Sequence, residues 1–327
     1  MKHARLELAR SAEILPELNG KIAVFGQIEL DRLRSLDFTN LRAVSDSAVT
    51  TEVLSSAGIT VQRRLDEDVL DAIVFVPRAK EQAWQLISAA IQSAPQGWVI
   101  VDGQKTDGIE SIAKEIARTV GGVSSYSKGH GKSIWFRASD AQALCVSTEQ
   151  EPNKDGFLTA AGVFSADGVD PASAFLVENM VSDLSGEVAD IGAGWGYLSE
   201  QVLVQNSKIK AMHLIEDNAA ALDCARQNVA DPRASFHWAN ALTWRPKTLL
   251  DAVVMNPPFH TGRSAEPALG ISFIQTAARV LRPGGVLYMV ANAHLPYEPA
   301  LELAFVDVTL VARTTRFKVF CAKRGRK

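Results

Sequence analysis

Val188-Ala189-Asp190-Ile191-Gly192-Ala193-Gly194-Trp195-Gly196-Tyr197-Leu198 is the stretch from which the fold of this chain is read. An apolar run ends at Ile191, glycines turn the chain, and helix-forming sequence begins near Tyr197. Glycine suits positions where the backbone must turn tightly or a ligand must approach without a Cβ in the way. The spacing is G-x-G-x-G behind an acid, whereas dinucleotide phosphate loops use G-x-G-x-x-G. Working outward, short Val/Ile-rich runs alternate with amphipathic stretches such as Lys80–Ala94 and Asn218–Ala230. That alternation predicts βαβ units, and so doubly wound α/β sheets with helices on both faces. The glycines alone also fit an ordinary strand-to-helix turn, and neighbouring residues have to decide between the two readings.

The chain also repeats itself. LDAIVFVP (Leu70–Pro77) returns as LDAVVMNP (Leu250–Pro257), and GKIAVFG (Gly20–Gly26) matches GEVADIG (Gly186–Gly192). QGWVIVDG (Gln96–Gly103) corresponds to GGVLYMVAN (Gly284–Asn292), and KSIWFRA (Lys132–Ala138) to FKVFCAK (Phe317–Lys323). Four similar strands in one order point to a duplicated domain. With 327 residues in total, two domains also match the usual domain size. The polar stretch STEQEPNKDG (Ser147–Gly156) interrupts all periodicity and marks the joint, giving expected domains at 1–147 and 148–327. The first copy's loop, Val24–Leu30, keeps one glycine and carries bulky residues, so the first domain is expected to have lost the ligand site.

Composition narrows the class. A chain 47% hydrophobic and 22% charged is neither disordered nor collagenous. Cys145, Cys224 and Cys321 form no C-x-x-C pair, so reduced thiols and no metal site are expected. The first twenty residues are rich in charge and lack the apolar core of a signal peptide. No apolar run approaches the roughly 18 residues of a membrane span. A cytoplasmic protein without membrane contact is the expectation. The net charge of −3 means that a nucleic-acid partner would need a local basic patch.

The glycine loop resembles the first motif of class I S-adenosylmethionine methyltransferases, in which the loop backbone meets the methionine end of the cofactor. The resemblance implies a cofactor site built from Asp190, Gly192, Gly194 and Gly196. Asp190 suits a ligand carrying a sulfonium and an ammonium group. Lys210–Glu216 reads as the second strand and ends in Glu216, an acid placed to accept the hydrogen bonds of a ribose diol. Phe236–Leu242 reads as the end of a third strand, with Asn240 and Ala241 where that family holds the adenine amine.

Asn256-Pro257-Pro258-Phe259 follows the strand LDAVVM, and His260-Thr261-Gly262 come next. A strand delivers Asn256 to the carboxyl edge of the sheet, where open α/β sheets bind ligands. Two prolines stiffen the backbone and remove two donors. The set suits methylation of a planar exocyclic amine, whose lone pair is delocalised into its ring. The Asn256 side-chain oxygen and the Pro257 carbonyl can accept the amine's two hydrogens, and Phe259 can stack on the base. A rigid turn with a core phenylalanine is the plainer reading of the tetrapeptide. His260 can contact phosphate or base, or simply cap the next helix.

Beyond these motifs, GVFSADGVDPAS (Gly162–Ser173), NPPFH, LRPGGVLYMVANAHLPYE (Leu281–Glu298) and TTRFKVF (Thr314–Phe320) make the chain resemble the bacterial 16S ribosomal RNA guanine-N2 methyltransferases. That family consists of two tandem Rossmann-like methyltransferase domains with seven-stranded, mostly parallel sheets, of which the second is catalytic. The resemblance implies S-adenosylmethionine as cofactor, ribosomal RNA or the small subunit as partner, and a monomer. It implies that the segment holding Phe164, Ser165, Asp170 and Ser173 folds over the methionine part of the cofactor. From Arg313 to Lys327 there are seven basic residues and no acid. Within that run, Arg316 and Lys318 are expected to contact RNA phosphates, while the last residues also fit a solvated tail. Three other readings share features with this one: a large-subunit ribosomal RNA guanine methyltransferase, a release-factor glutamine methyltransferase, and a non-catalytic RNA-binding assembly factor. The duplicated first half and phenylalanine in the tetrapeptide disfavour the glutamine enzyme, and the intact acid, asparagine and NPPF set disfavours the assembly factor.

Overall fold

The Val/Ile-rich runs become buried strands of two separate sheets. The protein is described by a computed structural model covering residues 5–34, 36–147, 150–181, 183–258, 260–261, 264–265 and 267–326. The chain divides into two units, Met1–Glu149 and Gln150–Lys327.

In the first unit the strands are β1 (Ile22–Gly26), β2 (Leu41–Val44), β3 (Thr60–Gln62), β4 (Asp71–Phe75), β5 (Trp98–Gln104), β6 (Ser124–Lys128) and β7 (Gly131–Arg137). They form a seven-stranded sheet of order β3-β2-β1-β4-β5-β7-β6, parallel through β5 and antiparallel at β7 and β6. Its helices are α1 (Arg5–Ser11), α2 (Leu30–Leu33), α3 (Ala48–Ser56), α4 (Lys80–Ser93) and α5 (Ile109–Val120). In α5, Ile109, Ile112, Ala113 and Ile116 recur at helical spacing and form its buried face.

The second unit carries β8 (Gly186–Ile191), β9 (Ile209–Glu216), β10 (Ala234–Trp238), β11 (Leu250–Met255), a two-strand ribbon β12 (His260–Thr261) and β13 (Ser264–Ala265), then β14 (Leu281–Asn292), β15 (Asp307–Arg313) and β16 (Phe317–Lys323). The sheet order is β10-β9-β8-β11-β14-β16-β15, again parallel for five strands and antiparallel for the last two. Each of the four segment pairs read from the sequence occupies the same sheet position in its own unit: β1 with β8, β4 with β11, β5 with β14, β7 with β16. The paired aspartates do related work. Asp71 accepts hydrogen bonds from Asn19 N and Trp98 N, and Asp251 accepts from Glu187 N and Arg282 Nε, tying neighbouring strand starts together.

Alternation along β11 sends Val253 and Met255 to one face, among α9 (Pro267–Val280) residues Phe273 and Ile274. Ala252 and Val254 face the other side, among residues of α6 (Pro171–Asn179), α7 (Tyr197–Gln205) and α8 (Ala219–Asn228). A strand buried on both faces needs a continuous apolar run, and LDAVVM supplies one. The remaining helix, α10 (Glu298–Ala304), adds Leu301 to the Val253 side. One expectation shifts: β10 ends at Trp238, so Asn240 and Ala241 sit in the turn beyond it, where Asn240 O receives Thr243 N and Trp244 N. Among the described residues no helix is long and apolar enough to cross a membrane.

Candidate active site

Three left-handed glycines make the turn after β8: Gly192 at φ 85°, Gly194 at 56° and Gly196 at 94°. Each would strain an L side chain. At Gly196 space forbids one too, because a Cβ would lie 2.8 Å from Val229 Cγ2. The turn is pinned to β9 by Gly192 N and Ala193 N donating to Ile215 O. Gly194 N donates to Glu216 Oε2, and Asn218 N to Glu216 Oε1, both at 2.8 Å. Burial pushes the Glu216 carboxyl above its ordinary value, against the pull of the Asn218 and Gly194 amides.

Asp190 lies fully buried at the end of β8 rather than on the wall of the cleft. Ser199 Oγ donates to its Oδ2 at 2.8 Å, and Oδ1 has no hydrogen-bond partner among the described residues. Burial, opposed by the Ser199 hydrogen bonds and aided by the charge of Glu216, pushes this carboxyl up to about 7. An orphaned carboxylate oxygen beneath an open glycine turn fits a cationic ligand, since a buried acceptor without a partner is costly. Around the Cβ position of Gly194 no atom of the described residues lies within 4 Å.

A cleft over this turn brings together Gly192, Gly194, Phe164, Asp170 and Asn256. Ser165, Ser173 and Tyr197 complete much of its wall. Asn256 stands directly after β11, with Pro257 buried and Pro258 exposed beside it. Its Nδ2 donates to Asp170 Oδ2 and to Ser173 Oγ, each at 2.9 Å. Asp170 also caps α6 by accepting Ser173 N at 2.9 Å, with Pro171 in the first turn. Phe164 is 58% exposed.

Asn240 and Ala241 are not on the cleft wall; Asn240 Oδ1 accepts Leu242 N at 3.0 Å in the turn after β10. Phe259 lies outside the described residues, as does the side chain of His260, whose backbone pairs with Ala265 in the ribbon. Arg316 is exposed, its guanidinium 5.1 Å from the Phe317 ring centroid. Lys318 corrects the sequence reading. It is 4% exposed, and its Nζ donates to Leu295 O at 2.9 Å and Glu298 Oε1 at 2.6 Å. An ammonium committed to a buried carbonyl and a carboxylate holds the loop before α10 in place and is not offered to a phosphate.

Several site residues escaped the sequence reading. Trp195 is 4% exposed, its ring tilted against Phe157 with centroids 5.0 Å apart, and its Nε1 donates to Phe164 O at 2.9 Å. Asn228 Nδ2 donates to Trp195 O and to Leu158 O, both at 2.8 Å, tying the glycine turn to the preceding segment. Neither contact leaves a spacing signal, because the partners are far apart in sequence.

Residues 154–321, more than half of the chain, match the family model described as methyltransferase small domain, and the chain belongs to that family. Its curated relatives include ribosomal RNA small subunit methyltransferase C of Shewanella loihica, 28% identical over 273 residues and covering 78% of each chain. The protein of the same name from Escherichia coli O6:K15:H31 is 28% identical over 316 residues, 92% of this chain and 91% of the relative. A solved structure of a 16S rRNA N2-guanine methyltransferase from T. thermophilus, in complex with AdoMet and guanosine, superposes with a TM-score of 0.80 at 22% identity. It covers 95% of this chain and 90% of that one, a likeness of fold across both units.

Proposed function

We propose that this protein transfers a methyl group from S-adenosylmethionine to the exocyclic N2 amine of a guanine in small-subunit, 16S, ribosomal RNA. The observation that carries the reading is one cleft lined by the glycine turn on one side and by Asn256 on the other. The curated relatives named above, alike over most of their length, support the choice of RNA substrate.

The cofactor supplies, when bound, an electrophilic methyl group on a sulfonium. Gly192, Gly194 and Gly196 leave its approach clear, and the Asp190 charge favours its cationic end. Phe164 and Asp170 border the same cleft. Glu216 serves the ribose hydroxyls, and the Asn240–Ala241 turn serves the adenine. On the substrate side, Asn256 Oδ1 and the Pro257 carbonyl accept the two hydrogens of the guanine amine, which localises its lone pair. Those acceptors gain strength as positive charge develops on nitrogen, so they favour the transition state over the ground state. Pro258 stiffens that turn, Phe259 stacks on the base, His260 borders it, and Arg316 holds a phosphate. The protonated product releases its proton to solvent, so no strong general base is needed. Residues 1–147 form a methyltransferase-like domain without a cofactor site, and 148–327 the catalytic domain.

The test is to map N2-methylguanine by mass spectrometry in small-subunit RNA from a strain lacking the gene, before and after incubation with the purified protein and cofactor. One guanine should gain a methyl group. Transfer only to large-subunit RNA, or to none, would overturn the reading.

A further inference from the structure

A primary carboxamide has two donors at one end and an acceptor at the other, and a substrate amine can use only the acceptor. In Asn256 both donors are occupied, by Asp170 Oδ2 and Ser173 Oγ. A carboxylate only accepts, so the Asp170 contact fixes which end of the amide is nitrogen. Asp170 is itself held, because the same oxygen caps α6 through Ser173 N. Ser173 is 7% exposed, a buried acceptor on the first turn of that helix.

We propose that Asp170, with Ser173, is the positioning residue of the transfer reaction, locking the Asn256 amide so that Oδ1 is its one remaining hydrogen-bonding function. The proposal rests on the methyl-transfer reading above and gives Asp170 a task beyond bordering the cofactor. Asp170 has a second effect. A carboxylate accepting from Nδ2 draws the amide toward its charge-separated form and leaves Oδ1 more negative, as chained hydrogen bonds do in a low-dielectric site. Oδ1 is then a stronger acceptor at the moment the amine nitrogen becomes positive. An amide free to turn over would instead present N–H to N–H. The logic is that of a third group orienting a catalytic side chain it does not itself replace.

The test is single-turnover methylation at saturating cofactor with Asp170→Asn, Asp170→Ala and Ser173→Ala, each also made in an Asn256→Ala background. Cofactor affinity and thermal unfolding are measured alongside. Asp170→Ala should slow the saturated step by roughly 10–100-fold, by comparison with residues that orient metal ligands. Cofactor affinity should hold. Asp170→Asn keeps both an acceptor oxygen and a good helix cap, so it should recover part of the rate, and it keeps the experiment informative should the alanine variant unfold. In the Asn256→Ala background none of the three changes should slow the reaction further, because nothing remains to be positioned. Equal losses in both backgrounds would overturn the proposal and leave Asp170 a helix cap. Weakened cofactor binding with an unchanged saturated rate would overturn it too, making Asp170 a cofactor contact. If wild type transfers no methyl group to guanine, the reaction itself is wrong and this role falls with it; additive losses in an active enzyme refute the positioning role alone.

Discussion

Asp190 concentrates the electrostatics of the site at one residue. With its carboxyl raised to about 7, it is largely protonated at about pH 6, and a cationic ligand favours the ionised form. Binding must therefore expel a proton below pH 7, and cofactor affinity must climb as pH rises through about 7. Calorimetry at about pH 6, in buffers of different protonation enthalpy, should show release of up to one proton for each cofactor. Asp190→Asn should abolish the release, and a wild type that releases none contradicts the account. The sign for stability is the opposite. Between 3.8 and about 7 the folded protein holds a proton that the unfolded chain gives up, so this group's contribution to stability falls as pH rises through that window. Gly194 tests the loop geometrically. A Cβ there would meet no atom of the described residues within 4 Å, yet the residue must adopt φ 56° and project beside the cleft. Gly194→Leu should leave the fold intact, at a strain of roughly 1–2 kcal/mol, and eliminate cofactor binding. Retained binding would mean that the cofactor does not pass over this turn.

At the scale of the element, β16 separates two cations that look alike in sequence. Arg316 precedes the strand and is exposed, whereas Lys318 pairs with Ala291 in the ladder and is itself buried, its ammonium paired with the partly exposed Glu298. Arg316→Ala should reduce RNA affinity, with a salt-dependence slope lower by about one, and leave thermal stability unchanged. Lys318→Ala should cost roughly 1–3 kcal/mol of stability, chiefly by stripping the buried hydrogen bond from Leu295 O, with the part-buried one to Glu298 lost as well. A salt series and a thermal melt of both variants measure the two effects; RNA binding lost in Lys318→Ala with an unchanged melt would reverse the assignment. The same strand shows what was legible. KSIWFRA and FKVFCAK announced themselves because buried strands need apolar runs, and their partners β6 and β15, exposed along most of their length, did not. The inward turn of Lys318 is set by its cross-strand register, which no local pattern encodes. Gly192, Gly194 and Asn256, which line one cleft, could be placed from sequence because turn chemistry and strand ends leave local marks. The hydrogen bonds from Asn256 to Asp170 and Ser173 could not, since they join residues 86 and 83 positions apart.

At the scale of the whole molecule, two units share one strand order and differ at one edge. In the first unit Gly26 is as left-handed as its counterpart, at φ 90°, but a Cβ there would sit 1.9 Å from Phe75 O, so that turn is closed against its neighbour strand. Phe25 and Ile28 are buried beside it, and the Arg32 guanidinium lies 5.1 Å from the Phe75 ring centroid. A duplicated fold with one open turn should bind one cofactor per chain. Titration of the full chain should saturate near one equivalent, and two equivalents would show that the first unit keeps a site. The central claim is that Asn256 acts on the amine during methyl transfer, and single-turnover methylation of small-subunit RNA at saturating cofactor tests it most directly. Asn256→Ala should fall at least ~10²-fold below wild type, as when an oxyanion-hole donor is removed, with cofactor affinity unchanged. Equal rates would contradict the account and reduce the tetrapeptide to a rigid turn.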